Sequence, residues 1–472
     1  MKRAVLMLSL LLLALPAMAR LGGAPGVWPG TARDLAQIRD SGVLRILVNQ
    51  SRNSSGEVKG QAIGVEYQRL RAFEHYLNRK AQEGDGLTLK IIPTAKDQLL
   101  GALQRGEGDL IAPGELLTLR GTREARGISA SNAIRRNVPL VLVSRQGNRS
   151  YQNLAQLSGR RLALPAGSAV AEALVAVNKQ LAQRQLAPIQ IEWVDPSLAV
   201  EDVLEMVDAG IFALTAVELP IAERWVKVMP KLRIDRHLVL ANEGDMSWFV
   251  SRSAPMLRAS IDRFLKDYRS PSDQDVVFQR VYRRLYKVQY PLGQLERQRL
   301  EKVRPVLQRH AEQEDLDWLT LAALAFKEST LNPAAQGAGG ATGLMQITPA
   351  AARSVGVGNI SNLNNNVLAG AKYLASIRRG YFSSNQINER ERLGFVLAGY
   401  NLGPQRVQGL RAEAKRRGLN PNKWFFQVER IAMEQFGMGV VSYVNSVNKY
   451  YLAFDRQRAR LEPAVSPLIT RK

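Results

Sequence analysis

The sequence predicts a multidomain chain whose N-terminal part is a two-lobed α/β module, followed by a domain of different make-up. Three observations lead there. Apolar runs of strand length alternate with helically spaced apolar residues from Gly42 onward, and such alternation implies βαβ units and a mostly parallel sheet. The same alternation restarts after residue 138, which suggests two lobes in tandem with a cleft between them, a common ligand position. Much later, a very apolar helical stretch, Trp318-Leu-Thr-Leu-Ala-Ala-Leu-Ala-Phe326, runs into Lys327-Glu328-Ser329 and a Gly-rich loop, Gly337 to Gly343.

In chain order, Met1-Lys-Arg3, the apolar run Ala4–Leu15 and Ala17-Met-Ala19 form a signal-peptide pattern over residues 1–19. The run is short for a membrane span. Residues 20–40, rich in Gly and Pro, are expected to be a flexible leader. Gly42–Asn49 reads as a strand, Gly64–Leu77 as a helix with Val65, Leu70, Phe73 and Leu77 on one face, and Leu87–Ile92 as a strand. A helix over Asp97–Leu103 and a short strand over Asp109–Ala112 follow. The second set comprises strands over Val138–Val143, Arg161–Leu164, Ile189–Trp193 and Phe212–Val217. Its helices span Ala169–Leu181 and Val200–Ala209, the latter closed by Gly210. Residues 269–297 read as a polar linker, helical over Asp275–Tyr286, and 456–472 as a disordered tail.

Composition narrows the chemistry. The chain has 472 residues and no cysteine, which excludes a lipoprotein anchor, disulfides and Cys-based metal sites. His75, His237 and His310 are scattered, so no metal site and no cofactor is expected. The net charge of +23 attracts polyanions. With an export signal, the candidates are anionic glycan, acidic peptides and lipid head groups. No nucleic-acid motif occurs, and nucleic acid is not an expected partner.

Glu328 is the candidate catalytic residue. A carboxylate delivered from a buried helix end loses hydration, which raises its pKa and suits it to act as a general acid. Between Ser329 and Asn388 there is no Asp or Glu. Most glycosidases place two carboxylates about the bond, whereas an N-acetyl sugar can supply its own nucleophile. The bland alternative is a surface Glu at a helix end. For Tyr400-Asn401 it is a helix end finished by Gly403-Pro404.

Glu328-Ser329, Gly343-Leu-Met-Gln346, Asn366-Val-Leu-Ala-Gly-Ala-Lys-Tyr-Leu374, Ala398-Gly-Tyr-Asn-Leu-Gly403 and Ser442-Tyr-Val444 occur in that order. Together they resemble the successive motifs of the soluble-lytic-transglycosylase catalytic domain, over residues 298–455. The resemblance implies a mainly α, lysozyme-like fold and a carbon–oxygen lyase that cleaves peptidoglycan glycan strands, leaving 1,6-anhydromuramyl ends. It implies Glu328 and Tyr400 as catalytic and Ser329, Met345, Gln346, Asn401 and Tyr443 as substrate-binding. One departure stands out: the family usually has Ser nine positions after the acid, where this chain has Gly337.

Leu44-Arg-Ile-Leu-Val48, Leu100-Gly-Ala-Leu-Gln-Arg-Gly-Glu-Gly-Asp109, Gly159-Arg-Arg-Leu-Ala163 and Leu204-Glu-Met-Val-Asp-Ala-Gly210 resemble the type 3 solute-binding family over residues 41–268. The resemblance implies a periplasmic-binding-protein-like pair of lobes closing on an amino acid or a stem peptide. Arg123 falls near the family Arg that pairs with a ligand carboxylate, and Ser168 lies where helix-start N–H groups could hold one. Glu218 is the nearest acid to the place where the family has an Asp for the ligand amine. Together the two resemblances lead to the expectation of an exported, periplasmic enzyme with a ligand-sensing module, allowing peripheral contact with the outer membrane. A lysozyme-type hydrolase and a non-catalytic wall-binding sensor are the competing readings.

Overall fold

The computed structural model describes residues 32–49, 57–58, 61–62, 64–79, 86–118, 126–285 and 288–462. The signal pattern lies outside them, as do most of the leader and most of the tail. Among the described residues no helix is long and apolar enough to cross a membrane.

The chain enters through α1 (Leu35–Ser41), so the expected leader ends earlier than residue 40. Asp34 caps this helix in a capping box with Gln37, and Gly42 closes it at φ 66°. Asp34 also accepts from the N–H groups of Met256 and Leu257, and Arg33 pairs with buried Asp109, so this entry is tied down from two sides. The first lobe then runs through β1 (Val43–Asn49), the hairpin β2 (Glu57–Val58) and β3 (Gln61–Ala62), α2 (Val65–Asn78), β4 (Thr88–Thr94), α3 (Leu99–Gln104), β5 (Leu110–Ile111) and β6 (Ile128–Ala130).

The second lobe follows with β7 (Arg135–Arg145), β8 (Arg161–Leu164), α4 (Val170–Gln183), β9 (Gln190–Trp193), α5 (Val200–Asp208), β10 (Leu214–Glu218), α6 (Leu219–Val226) and β11 (Leu232–Met246). The chain returns to the first lobe in β12 (Phe249–Ser251) and α7 (Pro255–Asp267). The first sheet has the order β4-β1-β5-β12-β6, parallel through β4, β1 and β5 and antiparallel at β12. The second is antiparallel, β10-β7-β11, beside a separate parallel pair β8-β9. The parallel expectation therefore holds in the first lobe and for one pair of the second. The long β7–β11 ladder is antiparallel because β11 returns directly towards the first lobe.

Residues 269–297, expected as a linker, contain α8 (Gln274–Leu285), which is packed rather than free. Phe278 and Tyr282, one helical turn apart, meet Trp225 of α6 edge-on at 5.3 and 5.2 Å between ring centroids.

The C-terminal domain is mainly α: α9 (Gln294–Gln313), α10 (Trp318–Ser329), α11 (Pro349–Ser354), α12 (Leu363–Tyr381), α13 (Glu389–Leu402), α14 (Pro404–Arg416), α15 (Glu429–Phe436), α16 (Met438–Asp455) and α17 (Arg458–Leu461). The helix α10 is its axis. Every residue from Trp318 to Phe326 is buried, the pattern of a helix apolar all round and packed on all sides. Each Leu so buried contributes roughly 1.5–3 kcal/mol. Part of the expected disordered tail is ordered as α17, with Leu461 buried and Arg458 paired to Asp317.

The two parts share a wall. Helix α16 belongs to the C-terminal core through Val444 and Val447, yet its Ala453 is buried in the core of the second lobe. Lys449 of α16 is buried against Asp202 and Glu205 of α5, Asn448 donates to Ser197, and Arg390 of α13 holds Asp195.

Candidate active site

Helix α10 stops just beyond Glu328 for a local reason. Thr330 and Leu331 both take left-handed backbone (φ 53° and 57°), and their N–H groups return to the carbonyls of Phe326 and Ala325. Leu331 is fully buried, so the reversal is fixed by packing. Gln346, just past the Gly-rich loop, is also left-handed at φ 45°. Such positions cost energy and persist where the surroundings over-determine them.

Glu328 sits half-buried at this end. Burial pushes its carboxyl up, while a hydrogen bond from Tyr443 and the charge of Lys327 pull partly the other way. The Tyr443 hydroxyl donates to Glu328 Oε1 from α16. Burial, and then the Glu328 charge, push both Tyr443 and Tyr400 well above the ordinary phenol range, so both stay neutral donors. The groups that act on Glu328 are thus one phenol and one ammonium. No second carboxylate contributes among the described residues.

The other expected residues divide into two sets. Tyr400 of α13 is brought to the acid's neighbourhood, but its hydroxyl donates to the Met345 carbonyl at 2.9 Å, and its ring stands edge-on to Tyr373 at 5.5 Å. Met345 is fully buried, its side chain filling the space a Cβ at Gly370 would need. Ser329 Oγ lies 3.0 and 2.8 Å from the carbonyls of Ala325 and Leu344 and accepts from the Asn332 N–H. It therefore ties the helix end to the loop. Gln346 Nε2 donates to the carbonyls of Ala335 and Gly343. Asn401 is exposed beside Tyr400.

Asn366 of α12 was not singled out by sequence reasoning as a site residue, although it opens one of the motifs. It is buried, accepts from the Met345 N–H, and donates to the carbonyls of Thr342 and Ile360. A Cβ at Gly343 would overlap it, which together with φ 76° explains that glycine. Gly337 has a different cause. Its backbone is extended, so any residue fits the conformation, but a Cβ there would collide with Gln346 Oε1. The Gln346 amide fills the space above Gly337.

In the N-terminal module, Arg123 lies outside the described residues. Ser168 stands just before α4, its Oγ accepting from the Val170 N–H at 3.3 Å. The lobes are shut there: a Cβ at Gly167 of the second lobe would come within 2.9 Å of the Asp97 N in the first. At the centre of the cleft, Lys96 Nζ meets Glu115 at 2.5 Å and Glu218, across the lobes, at 4.0 Å. Asn49 donates to Glu115, and the Leu116 N–H to Glu218. Burial acts against the Lys96 charge, but the two carboxylates outweigh it and hold the ammonium above its ordinary value.

A mainly α domain whose most buried helix ends on a desolvated acid has what general-acid cleavage of a glycosidic bond requires. Accordingly, residues 305–424 match the family described as the Transglycosylase SLT domain. Over most of its length the chain is similar to curated proteins named membrane-bound lytic murein transglycosylase F. With that of Desulfosudis oleivorans it shares 27% identity over 83% of this chain and 82% of the relative. With that of Pseudomonas putida strain F1 it shares 28% over 88% and 86%. Among solved structures, an amino acid ABC transporter substrate-binding protein, AbpA of Streptococcus pneumoniae bound to L-arginine, matches at TM-score 0.41 and 17% identity, covering 52% of this chain and 98% of that one.

Proposed function

We propose that the protein is a peptidoglycan lytic transglycosylase, with Glu328 serving in turn as acid and base. Protonated Glu328 donates to the glycosidic oxygen between MurNAc and GlcNAc as that bond breaks. The muramyl acetamido oxygen supplies the nucleophile, the route open to an N-acetyl sugar. The Glu328 carboxylate then takes the proton of the C6 hydroxyl, whose oxygen closes the 1,6-anhydro ring at C1 as the C1–acetamido oxygen bond breaks and the acetamide is restored. No water is consumed, and the acid is restored.

The observation that carries this reading is the setting of Glu328: desolvated, held by one neutral phenol, with no carboxylate among the described residues acting on it as a partner that could serve as nucleophile or activate water. The Tyr443 hydrogen bond stabilises the carboxylate while burial destabilises it, which suits a group that must carry a proton in both directions. Exposed Asn401 is assigned to the sugar. Ser329, Met345 and Gln346 act through the loop they brace.

The binding-protein-like lobes fit a ligand-sensing role, with a stem peptide or amino acid as the ligand and Ser168 and Arg123 as its carboxylate partners. The export pattern at residues 1–19 fits a periplasmic site of action, with peripheral contact to the outer membrane's inner face. The test is digestion of purified sacculi followed by mass analysis of the products. Anhydromuropeptides are expected. Muropeptides with reducing ends would assign a hydrolase, and no release would assign a wall-binding protein.

A further inference from the structure

We infer that Tyr373 of α12 is a further substrate-contacting residue, whose phenol hydrogen-bonds a sugar of the glycan strand beside Glu328. The inference rests on the glycosidic reading and adds a binding group to it. Three tyrosines gather about the acid, and two have their hydroxyls committed within the protein. Tyr443 donates to Glu328, and Tyr400 donates to the Met345 carbonyl. The Tyr373 hydroxyl makes no hydrogen bond among the described residues, nor is it one of the enclosed polar atoms. It therefore reaches solvent.

The fold brings this residue to the site and fixes its ring. Met345 lies over Gly370, where a Cβ would come within 2.8 Å of its Cγ. Tyr373 is one helical turn beyond Gly370, on the same face of α12. Its ring stands edge-on to that of Tyr400 at 5.5 Å, and the Tyr400 phenol lies within electrostatic reach of both Glu328 and Tyr373. The Tyr373 ring packs against the main helical core and also against the small cluster of Ile347, Ala352, Val357, Ile360 and Ala369. The ring is held, and the hydroxyl is left over.

Packing does not explain that hydroxyl. A phenylalanine would fill the seam between the two clusters as well, and a half-buried phenol normally finds a partner. Tyr381, eight residues further along α12, has one: its oxygen accepts from Gln405 Nε2 at 2.7 Å. Burial, and then Tyr381, raise the Tyr373 pKa, so its phenol stays protonated. A neutral hydroxyl suits the neutral hydroxyl and acetamido groups of a sugar, since it can both donate and accept. Carried on a wedged ring, it loses little freedom on binding. Tyr373 is not among the groups that act on Glu328, so it binds and orients the strand without setting the acid's proton affinity.

The experiment uses the full chain and soluble, uncrosslinked glycan strands. Tyr373→Phe removes only the hydroxyl, so the variant should unfold at the parent's temperature. Its KM for release of anhydromuropeptides should rise about three- to tenfold, with kcat changed far less and the pH profile in place, as for the loss of one hydrogen bond made in binding. The same strands should bind Glu328→Gln, and should bind Glu328→Gln combined with Tyr373→Phe more weakly by a similar factor. Equal binding by those two proteins overturns the inference alone. So does a Tyr373→Phe variant that unfolds earlier and loses kcat at constant KM, which would make Tyr373 a packing residue. Strands that bind neither protein overturn the glycosidic reading, and the inference with it.

Discussion

Each half of the molecule buries a glutamate, and the two differ in what surrounds it. Glu115, between the lobes, and Glu328, at the end of α10, are both pushed up by burial. Glu115 is compensated from within: Lys96 and Asn49 fill its coordination, and Glu218 stands beyond. Glu328 has one neutral hydrogen bond and an open side. Burial alone does not make a catalytic acid. On the proposed reading, the acid is the buried carboxylate whose remaining partner is left for the substrate to provide. The same conservative change, Glu to Gln, should therefore do opposite things at the two positions.

Glu328→Gln carries the largest expected effect. The amide keeps the size and cannot relay the proton, so release of anhydromuropeptides should fall on the order of a hundred- to ten-thousandfold. Stability should hold or rise slightly, because a desolvated acid is removed. Product release near the parent rate, measured on sacculi, would break the comparison at its catalytic end. Glu115→Gln should leave the chemistry in place and weaken the fold, because Lys96 then keeps a buried charge without its nearest partner. Breaking a buried pair costs about 3–5 kcal/mol, read by denaturant unfolding of the full chain. The intact pair also has a pH signature. The Lys96 pKa is raised, so its contribution is fully present below the unfolded-state pKa and is lost as pH climbs through the folded value. The parent should therefore lose stability in the alkaline range more steeply than Lys96→Met.

A smaller effect separates the two forces on Glu328. Its proposed role as acid requires the proton, so activity should decline as pH rises through its pKa. Tyr443→Phe removes the hydrogen bond that favours the carboxylate, leaving burial less opposed. The alkaline limb of the pH–rate profile should move to higher pH, with a modest loss in rate. A limb that stays in place, or moves down, would mean that Tyr443 does not set the acid's proton affinity.

The two sites were unequally legible in the sequence because their contacts differ in range. Glu328 announces itself locally: nine residues of unbroken burial precede it in α10, and the apolar run is visible in the chain. Its hydrogen-bond partner is another matter, since Tyr443 comes from α16, 115 residues away. Glu115 and Glu218 lie over a hundred residues apart in different lobes, and Lys96 sits in a polar stretch with nothing to distinguish it. The ion cluster exists only once the lobes have closed. The strands and helices of the lobes were legible through their periodicity. The helix α1 was not, because seven residues with one buried side chain carry too little pattern. In α8, Phe278 and Tyr282 at i and i+4 were a signal of packing within a stretch that otherwise reads as polar.

The smallest expected effect concerns the loop beside the acid. Gly337 stands where the resembling family has Ser, and the Gln346 amide lies over it. In Gly337→Ser the new Cβ would meet Gln346 Oε1, the far end of a flexible side chain, while the backbone there already suits any residue. The amide must turn, straining its hydrogen bonds to the carbonyls of Ala335 and Gly343. Overpacking costs about 1–3 kcal/mol, and a movable side chain places this case near the lower end, roughly a fivefold loss in kcat/KM. Gln346→Ala alone should also weaken activity, by freeing the loop. Because the two residues compete for one space, the losses should not add: Gly337→Ser combined with Gln346→Ala should be no worse than Gln346→Ala alone. Full additivity in that cycle would show that the serine, not the glutamine, is displaced, and that position 337 acts on the glycan independently of the loop.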